Sequence, residues 1–301
     1  MKALLFALLG LSLSQQLPPI TIAPGILMPA VSIGHPDDTP TSNCTHGIGP
    51  GCNATAQAMV EMWLAIGGVG VDTAFGYQSQ GAVGAAIRAS VANGTIPSRD
   101  AVFLTTKVNP KFWAACDAAS ALAAVQVDVQ QLGVGRLDLV LQHFPCDSDA
   151  ENAAAWQGLI AARRQNLTRA IGVSHFGAAQ LEALVNATGV APAVNQCGMY
   201  LGGHDDATIA YCEAHGITYE AYGALRDVDF GNAVLAAIAA RHAVSAAQVA
   251  LRFVTQFGGN ARGGGHPLAV SPGTNVQYAH EDLELSAFAL TDDDMAQLAA
   301  I

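Results

Sequence analysis

Eight short aliphatic or β-branched runs alternate with Ala-rich stretches of helical length, and this alternation restricts the fold more than any other feature of the chain. The runs are Ala30–Ile33, Gly70–Thr73, Val102–Thr106, Leu137–Gln142, Ala170–Val173, Ala193–Gln196, Thr218–Ala221 and Leu268–Ser271. Strands separated by helices cannot be joined by hairpins, so they run parallel through right-handed crossovers. Eight such units in about 270 residues match a closed (β/α)8 barrel. An open doubly wound sheet is the structural rival, but the glycine fingerprint that follows its first strand is missing. Several helix ends are marked. Ser245-Ala-Ala-Gln248 is a capping box that opens an apolar helix to Phe257. Thr291 with Asp292, Asp293 and Asp294 reads as an N-cap with carboxylates on the positive end of the helix dipole, which accounts for the acidic triplet without a metal. Gly258 to Gly265 reads as a loop inserted between a helix and the last strand.

Charge and composition narrow the class. Lys and Arg number 13 against 24 Asp and Glu, a formal charge of −11, which argues against a phosphate-tracking nucleic-acid binder. Only 12% of residues are charged and 51% are hydrophobic, so a large core is available and disorder is excluded. Lys2 followed by the apolar run Ala3 to Leu13, with Ser12 and Ser14 before Gln15, reads as a cleavable signal peptide over residues 1–14. Beyond it, every apolar run is interrupted before the ~20 residues that a membrane span requires. Asn-x-Thr acceptors at Asn43, Asn53, Asn93, Asn166 and Asn186 take five of the eleven Asn residues, pointing to a glycosylated protein of the secretory pathway. Of the six cysteines, Cys44 and Cys52 bracket a Gly/Pro-rich loop and form the best disulfide pair. Cys116, Cys146, Cys197 and Cys212 are equally well read as small buried thiols.

In a parallel barrel the working groups come from the C-terminal ends of strands and the loops after them. Those positions supply Asp72 and Tyr77 after the second strand, Lys107 at the end of the third and His143 at the end of the fourth. Here Gly70-Val-Asp-Thr-Ala-Phe-Gly-Tyr77 with Gly84, Leu104-Thr-Thr-Lys107 and Leu141-Gln-His143-Phe-Pro resemble the signature segments of the aldo-keto reductases. The similarity continues in order through Arg169 to Phe176, Val194-Asn-Gln196, Ala221 to Leu225, Ala247 to Phe253 and Ser271 to Thr274. It implies an α/β fold, a single-domain (β/α)8 TIM barrel over residues 20–301 with a short N-terminal hairpin and a C-terminal helix.

The activity implied is NAD(P)H-dependent reduction of aldehydes or ketones, with the catalytic residues Asp72, Tyr77, Lys107 and His143. A carbonyl that accepts hydride needs a proton at once, and Tyr77 is the general acid. The Lys107 ammonium favours the phenolate and is held by Asp72, while His143 orients the carbonyl. No metal is required. By resemblance Ser174, His175 and Gln196 hold the nicotinamide carboxamide, Tyr222 stacks on its ring, Pro272, Gly273 and Thr274 approach the phosphates, and Glu281 and Asp282 meet the adenine. The cofactor is NADP or NAD: the family favours NADPH, but Gly273 stands where NADP-preferring members carry Lys, and Tyr278 or Ala279 where they carry Arg. Thr274 and the helix start after it offer the remaining phosphate contacts. Other departures are His175 in place of Asn and Gln80 in place of Glu.

Trp113, Phe144, Met199 and Tyr200 fall on loops at the mouth, where each either lines an apolar carbonyl pocket or packs against the core, and the site is expected to be open and permissive for a small carbonyl substrate. Asn93, Asn166 and Asn186 are expected in helix-to-strand loops on the opposite face. A monomer free of nucleic acid and, after leader removal, of the membrane completes the expectation. Two rivals remain in the residues. One is a metal-dependent barrel hydrolase built on His35-Pro-Asp-Asp38 and His204-Asp-Asp206. The other is a non-catalytic, redox-sensing barrel that binds dinucleotide without turnover.

Overall fold

A computed structural model of the protein describes residues 16–34, 52–258 and 265–301. The 1–14 leader, the His35 to Asp38 group, the sulfur pair Cys44 and Cys52, the acceptor side chains of Asn43 and Asn53, and most of the Gly258 to Gly265 loop lie outside the described residues. Strands β1 (Ile20–Ala23) and β2 (Ile26–Met28) form an antiparallel hairpin. The eight expected runs then appear as β3 (Val31–Ile33), β4 (Gly70–Asp72), β5 (Phe103–Val108), β6 (Leu137–Gln142), β7 (Thr168–Ser174), β8 (Val194–Gly198), β9 (Thr218–Tyr222) and β10 (Leu268–Val270). All are parallel, and β10 pairs with both β9 and β3, closing the barrel and excluding the open sheet. Strand β5 runs two residues past its expected end because β6 continues to supply partners, Leu141 opposite Lys107 and Gln142 opposite Val108. Lys107 is thereby fixed by a ladder and not by a loop.

The crossovers are α1 (Cys52–Ala65), α2 (Gln80–Ala92), α3 (Pro110–Trp113) with α4 (Ala118–Leu132), and α5 (Asp149–Arg164). They continue as α6 (Ala178–Thr188), α7 (Asp206–Ala214), and α8 (Ala233–His242) with α9 (Ala246–Gln256). After β10 come α10 (Val276–Leu283) and the C-terminal α11 (Asp292–Leu298). Both helix starts read from sequence form as capping boxes, at Ser245 with Gln248 and at Thr291 with Asp294. Asp294 does more than cap: it is buried and lies 2.8 Å from Nε2 of His242, which ties α11 to α8. Helices α2 and α4 approach so closely that a Cβ on Gly84 would sit 1.8 Å from the Leu132 carbonyl oxygen.

Two apolar layers hold the fold. The larger lies between strands and helices and includes the fully buried Trp63 and Trp156. The smaller fills the base of the barrel, where Ile22 and Met28 of the hairpin pack on Phe103, Leu139, Ala170 and Val194. Burying each large side chain of this kind contributes about 1.5–3 kcal/mol. At the same end, Asp138 of β6 accepts hydrogen bonds from Arg99 Nη2 (2.8 Å), the Leu104 N–H (2.9 Å) and Arg169 Nη1 (2.9 Å), joining β5, β6 and β7.

The structure decides two readings that the residues leave open and revises a third. Of the two readings open for Cys116 and Cys146, pairing holds: they form a disulfide that links the loops following β5 and β6. Two strands that share a ladder bring their exit loops together, a proximity that spacing 30 residues apart in sequence does not reveal. Cys197 and Cys212 are free, the second buried. Met199, the residue after β8, packs: it is wholly buried in the strand–helix layer. Asn186 lies in the last turn of α6, where the helix runs on to Thr188, while Asn93 caps α2 and Asn166 adopts a left-handed turn. All three acceptor residues are exposed. Among the described residues, no single helix is long and apolar enough to cross a membrane.

Candidate active site

The C-terminal strand ends bring Asp72, Tyr77, Lys107 and His143 together. Asp72 closes β4, Tyr77 follows on a single 3-10 turn, Lys107 is the penultimate residue of β5, and His143 is the first residue after β6. The Lys107 ammonium donates to Asp72 Oδ1, to the Tyr77 hydroxyl at 3.2 Å and to the Thr73 carbonyl at 3.3 Å. Burial favours a neutral lysine, but the adjacent Asp72 charge and the Tyr77 contacts outweigh it and hold the pKa above its ordinary value. Lys107 is therefore a fixed cation. The His143 ring meets the Tyr77 ring edge-on, with centroids 5.7 Å apart. Asp72, Tyr77 and His143 line a cavity of about 540 Å³ at the barrel mouth.

Gln196 of β8 spans the floor of this cavity. Its Nε2 donates to Asp72 Oδ2 and to Glu220 Oε2, each at 2.9 Å, so both amide hydrogens are engaged and the carbonyl oxygen is the group left to offer to a ligand. Ser174 stands behind it, donating its hydroxyl to the main-chain carbonyl of Gln196 at 2.8 Å. Ser174 is buried, one layer behind the residues that line the cavity. His175 has φ +63°, a left-handed conformation in which Asn and His are tolerated better than most residues, so exchanging Asn for His here preserves the turn. Its ring stacks on Phe144 at 4.5 Å and meets Tyr222 edge-on at 5.4 Å. Burial, then the Lys107 and Arg226 charges, hold His175 below its ordinary pKa, so it works as a neutral imidazole.

Glu220 and Arg226 belong to the site and have no counterpart among the sequence-based candidates. Glu220 is fully buried in β9, and burial, then the Asp72 charge, push its carboxyl up to about 8. Its Oε1 has no hydrogen-bond partner among the described residues. A glutamate inside a strand buried on both faces was the available signal. Arg226 follows β9 and lies over Tyr222, its guanidinium carbon 5.4 Å from the ring centroid. Gln80 also finds its reason: it donates at 2.8 Å to buried Asp128, whose carboxyl is pushed up to about 7 by burial, opposed by the Gln80 and Thr106 hydrogen bonds. A glutamate at 80 would oppose two buried carboxyls.

A second cavity, of about 700 Å³, continues from the first and is lined by Pro272, Glu281 and Asp282. Burial, then the Glu281 charge, raise Asp282 to about 8. Gly273 and Thr274 do not line it, and the helix start beyond them is already capped: Asn275 Oδ1 accepts the N–H groups of Gln277 (3.0 Å) and Tyr278 (3.3 Å). Of the other mouth candidates, Phe144 lines the first cavity, Trp113 packs edge-on to Phe75, and Tyr200 turns back on Gly203. His204 pairs with Asp206 at 2.6 Å and Asp205 caps α7, so these three do not converge. Among the described residues no group of three His, Cys, Asp or Glu gathers as a metal site.

Residues 45–227 match the family model of the aldo/keto reductase family. The chain belongs to that family. An aldo-keto reductase of Mycolicibacterium smegmatis is 33% identical over 257 residues, covering 84% of each chain. The 2,5-diketo-D-gluconic acid reductase B of a Corynebacterium species is 30% identical over 233 residues, covering 77% of this chain and 78% of its own. The crystal structure of a Bombyx mori aldo-keto reductase in complex with NADP superposes with a TM-score of 0.80 at 26% identity, covering 95% of this chain and 92% of that one. As a family member, the reductase is an NAD(P)H-dependent oxidoreductase that acts on small-molecule carbonyl compounds.

Proposed function

We propose that the reductase converts aldehydes or ketones to alcohols with Tyr77 as the general acid, drawing on NADP or NAD in reduced form. When bound, the dinucleotide supplies a hydride to the carbonyl carbon. Tyr77 donates the proton that the developing alkoxide requires, and the ammonium 3.2 Å away stabilises the phenolate left behind. Asp72 keeps Lys107 charged and aimed. His143, on the same cavity wall, hydrogen-bonds the carbonyl oxygen and fixes its approach.

The two connected cavities fit a dinucleotide. Gln196 offers its carbonyl oxygen to the amide N–H of the carboxamide, His175 borders it, and Tyr222 provides the stacking face. Glu281 and Asp282 stand at the adenine end. The observation that carries this reading is the single ammonium shared by Asp72 and the Tyr77 hydroxyl beside an open cavity. Tyr77→Phe is expected to lower kcat by roughly 10²–10⁴-fold. Steady-state NADPH and NADH oxidation with a panel of aldehydes and ketones measures it, and unchanged turnover would discard the acid.

The protein is further proposed to be a monomer of the secretory pathway, cleaved after Ser14 and glycosylated. The basic-then-apolar leader, the five acceptors and the Cys116–Cys146 bond support this. The exposed acceptors Asn93, Asn166 and Asn186 lie at helix ends on the barrel's base, where sugars leave the mouth clear. A secreted sample should begin at Gln15, lose mass on N-glycosidase treatment and yield a Cys116–Cys146 cross-linked peptide. An unprocessed, unglycosylated chain would refute the assignment.

A further inference from the structure

The two cavities share Gly223, Arg226, Ala269 and Ser271, so a ligand that fills both must pass these residues. Among the described residues lining either cavity, Arg226 is the only cation. Residues 35–51, which follow β3 in the sequence, contain no Lys or Arg. Other cations on strand exits are engaged elsewhere, Lys107 with Asp72 and Lys111 with Asp147 at 2.6 Å. Among the described residues no carboxylate pairs with Arg226, whose guanidinium rests over the Tyr222 ring.

The adenosine end has the opposite character. Glu281 is fixed there by Ser245 Oγ at 2.8 Å and Gln277 Nε2 at 3.0 Å, with Asp282 beside it. Gly273 has φ +63° and is buried, so a lysine side chain at that position would strain the backbone. Among the described residues that line the two cavities, positive charge is therefore concentrated at one point, the junction.

We propose that Arg226 binds the diphosphate bridge of the dinucleotide and that the adenosine end accepts a ribose with a free 2′-hydroxyl, making NAD(H) the preferred form. The proposal rests on the reductase reading of the two cavities. With the nicotinamide on Tyr222 and the adenine near Glu281, the diphosphate falls at the shared segment, where a planar guanidinium can hold two phosphate oxygens at once. A 2′-hydroxyl can donate to the Glu281 carboxylate, as acidic residues do in other dinucleotide sites, whereas a 2′-phosphate would meet like charge. Arg226 also lies on the ring that the nicotinamide needs.

Calorimetric titration of NADH and NADPH into the wild type, Arg226→Gln, Arg226→Lys and Glu281→Gln tests both halves, with melting curves confirming that each variant is folded. The wild type is expected to bind NADH at least ~10-fold tighter than NADPH. Arg226→Gln should weaken both by a similar factor, roughly 10–100-fold, with partial recovery in Arg226→Lys. Glu281→Gln should narrow the preference for NADH. Tighter NADPH binding by the wild type, or an unmoved preference in Glu281→Gln, would overturn the NAD(H) assignment. Loss confined to NADPH in Arg226→Gln would make Arg226 a 2′-phosphate ligand, and unchanged affinity for both would remove it from the site. A wild type that binds neither dinucleotide would fail the reductase reading itself.

Discussion

Each end of the barrel buries a carboxylate against cations, and the two clusters do different work. At the base, Asp138 is met by the Arg99 and Arg169 guanidiniums and a backbone N–H, with no hydroxyl or imidazole nearby in its bonding set. At the mouth, Asp72 is met by Lys107, whose ammonium also reaches a phenol. Guanidinium never gives up its proton and binds in a rigid fork, which suits a permanent clamp. An ammonium is a compact point charge with three donors, one of which is directed at Tyr77. A buried ion pair alone therefore says nothing about catalysis. The third partner and the adjoining cavity decide.

The sharpest test of that contrast is to remove the cation at the mouth. Lys107→Met leaves Asp72 buried without its countercharge and should cost about 3–5 kcal/mol of stability. Carbonyl reduction should fall by at least roughly 100-fold in the same protein. Denaturant titration and steady-state kinetics read the two effects; retained turnover would make the mouth pair as structural as its counterpart. Asp138→Asn at the base should cost about 2–3 kcal/mol, since the partly exposed guanidiniums can turn to water. Its kcat should stay within about twofold of wild type, because the base of such barrels serves stability. A large kinetic loss there would erase the distinction.

The smallest expected effect concerns pH. Glu220 and Asp282, raised to about 8, and Asp128, raised to about 7, hold protons in the folded state that the unfolded chain has already lost. Their contribution is complete below the ordinary carboxyl range and is lost as pH rises toward 7–8. Each group's slope is at most about 1.4 kcal/mol per pH unit. Glu220→Gln keeps an acceptor for Gln196 and removes one of these titrations, so its melting temperature should fall less steeply between pH 5 and 8, a range set by these directions. An identical slope in both proteins would show that Glu220 is ionised throughout.

The barrel was legible because helix-separated strands leave few topologies, and because Ser245 and Thr291 announce their helices chemically. Asp72, Tyr77, Lys107 and His143 were legible for a related reason: each follows or ends a recognisable strand, which assigns it to the mouth before any contact is known. Arg226 and Glu220 belong to no motif. What matters about Arg226 is that two cavities meet beside it, and about Glu220 that an amide bridges it to Asp72, both products of long-range folding. Cys116 and Cys146 are joined for the same kind of reason, through the neighbouring exits of β5 and β6. Met199 is undecided in sequence because a position just after a strand can serve the mouth or the core, and here its side chain completes the core.

The N-terminal hairpin has one last implication. With Ile22 and Met28 stoppering the lower end against Phe103 and Leu139, the barrel is a blind well and not a through-channel. Among the described residues, Tyr77 is thus approached from the mouth, at the end of the barrel away from the hairpin.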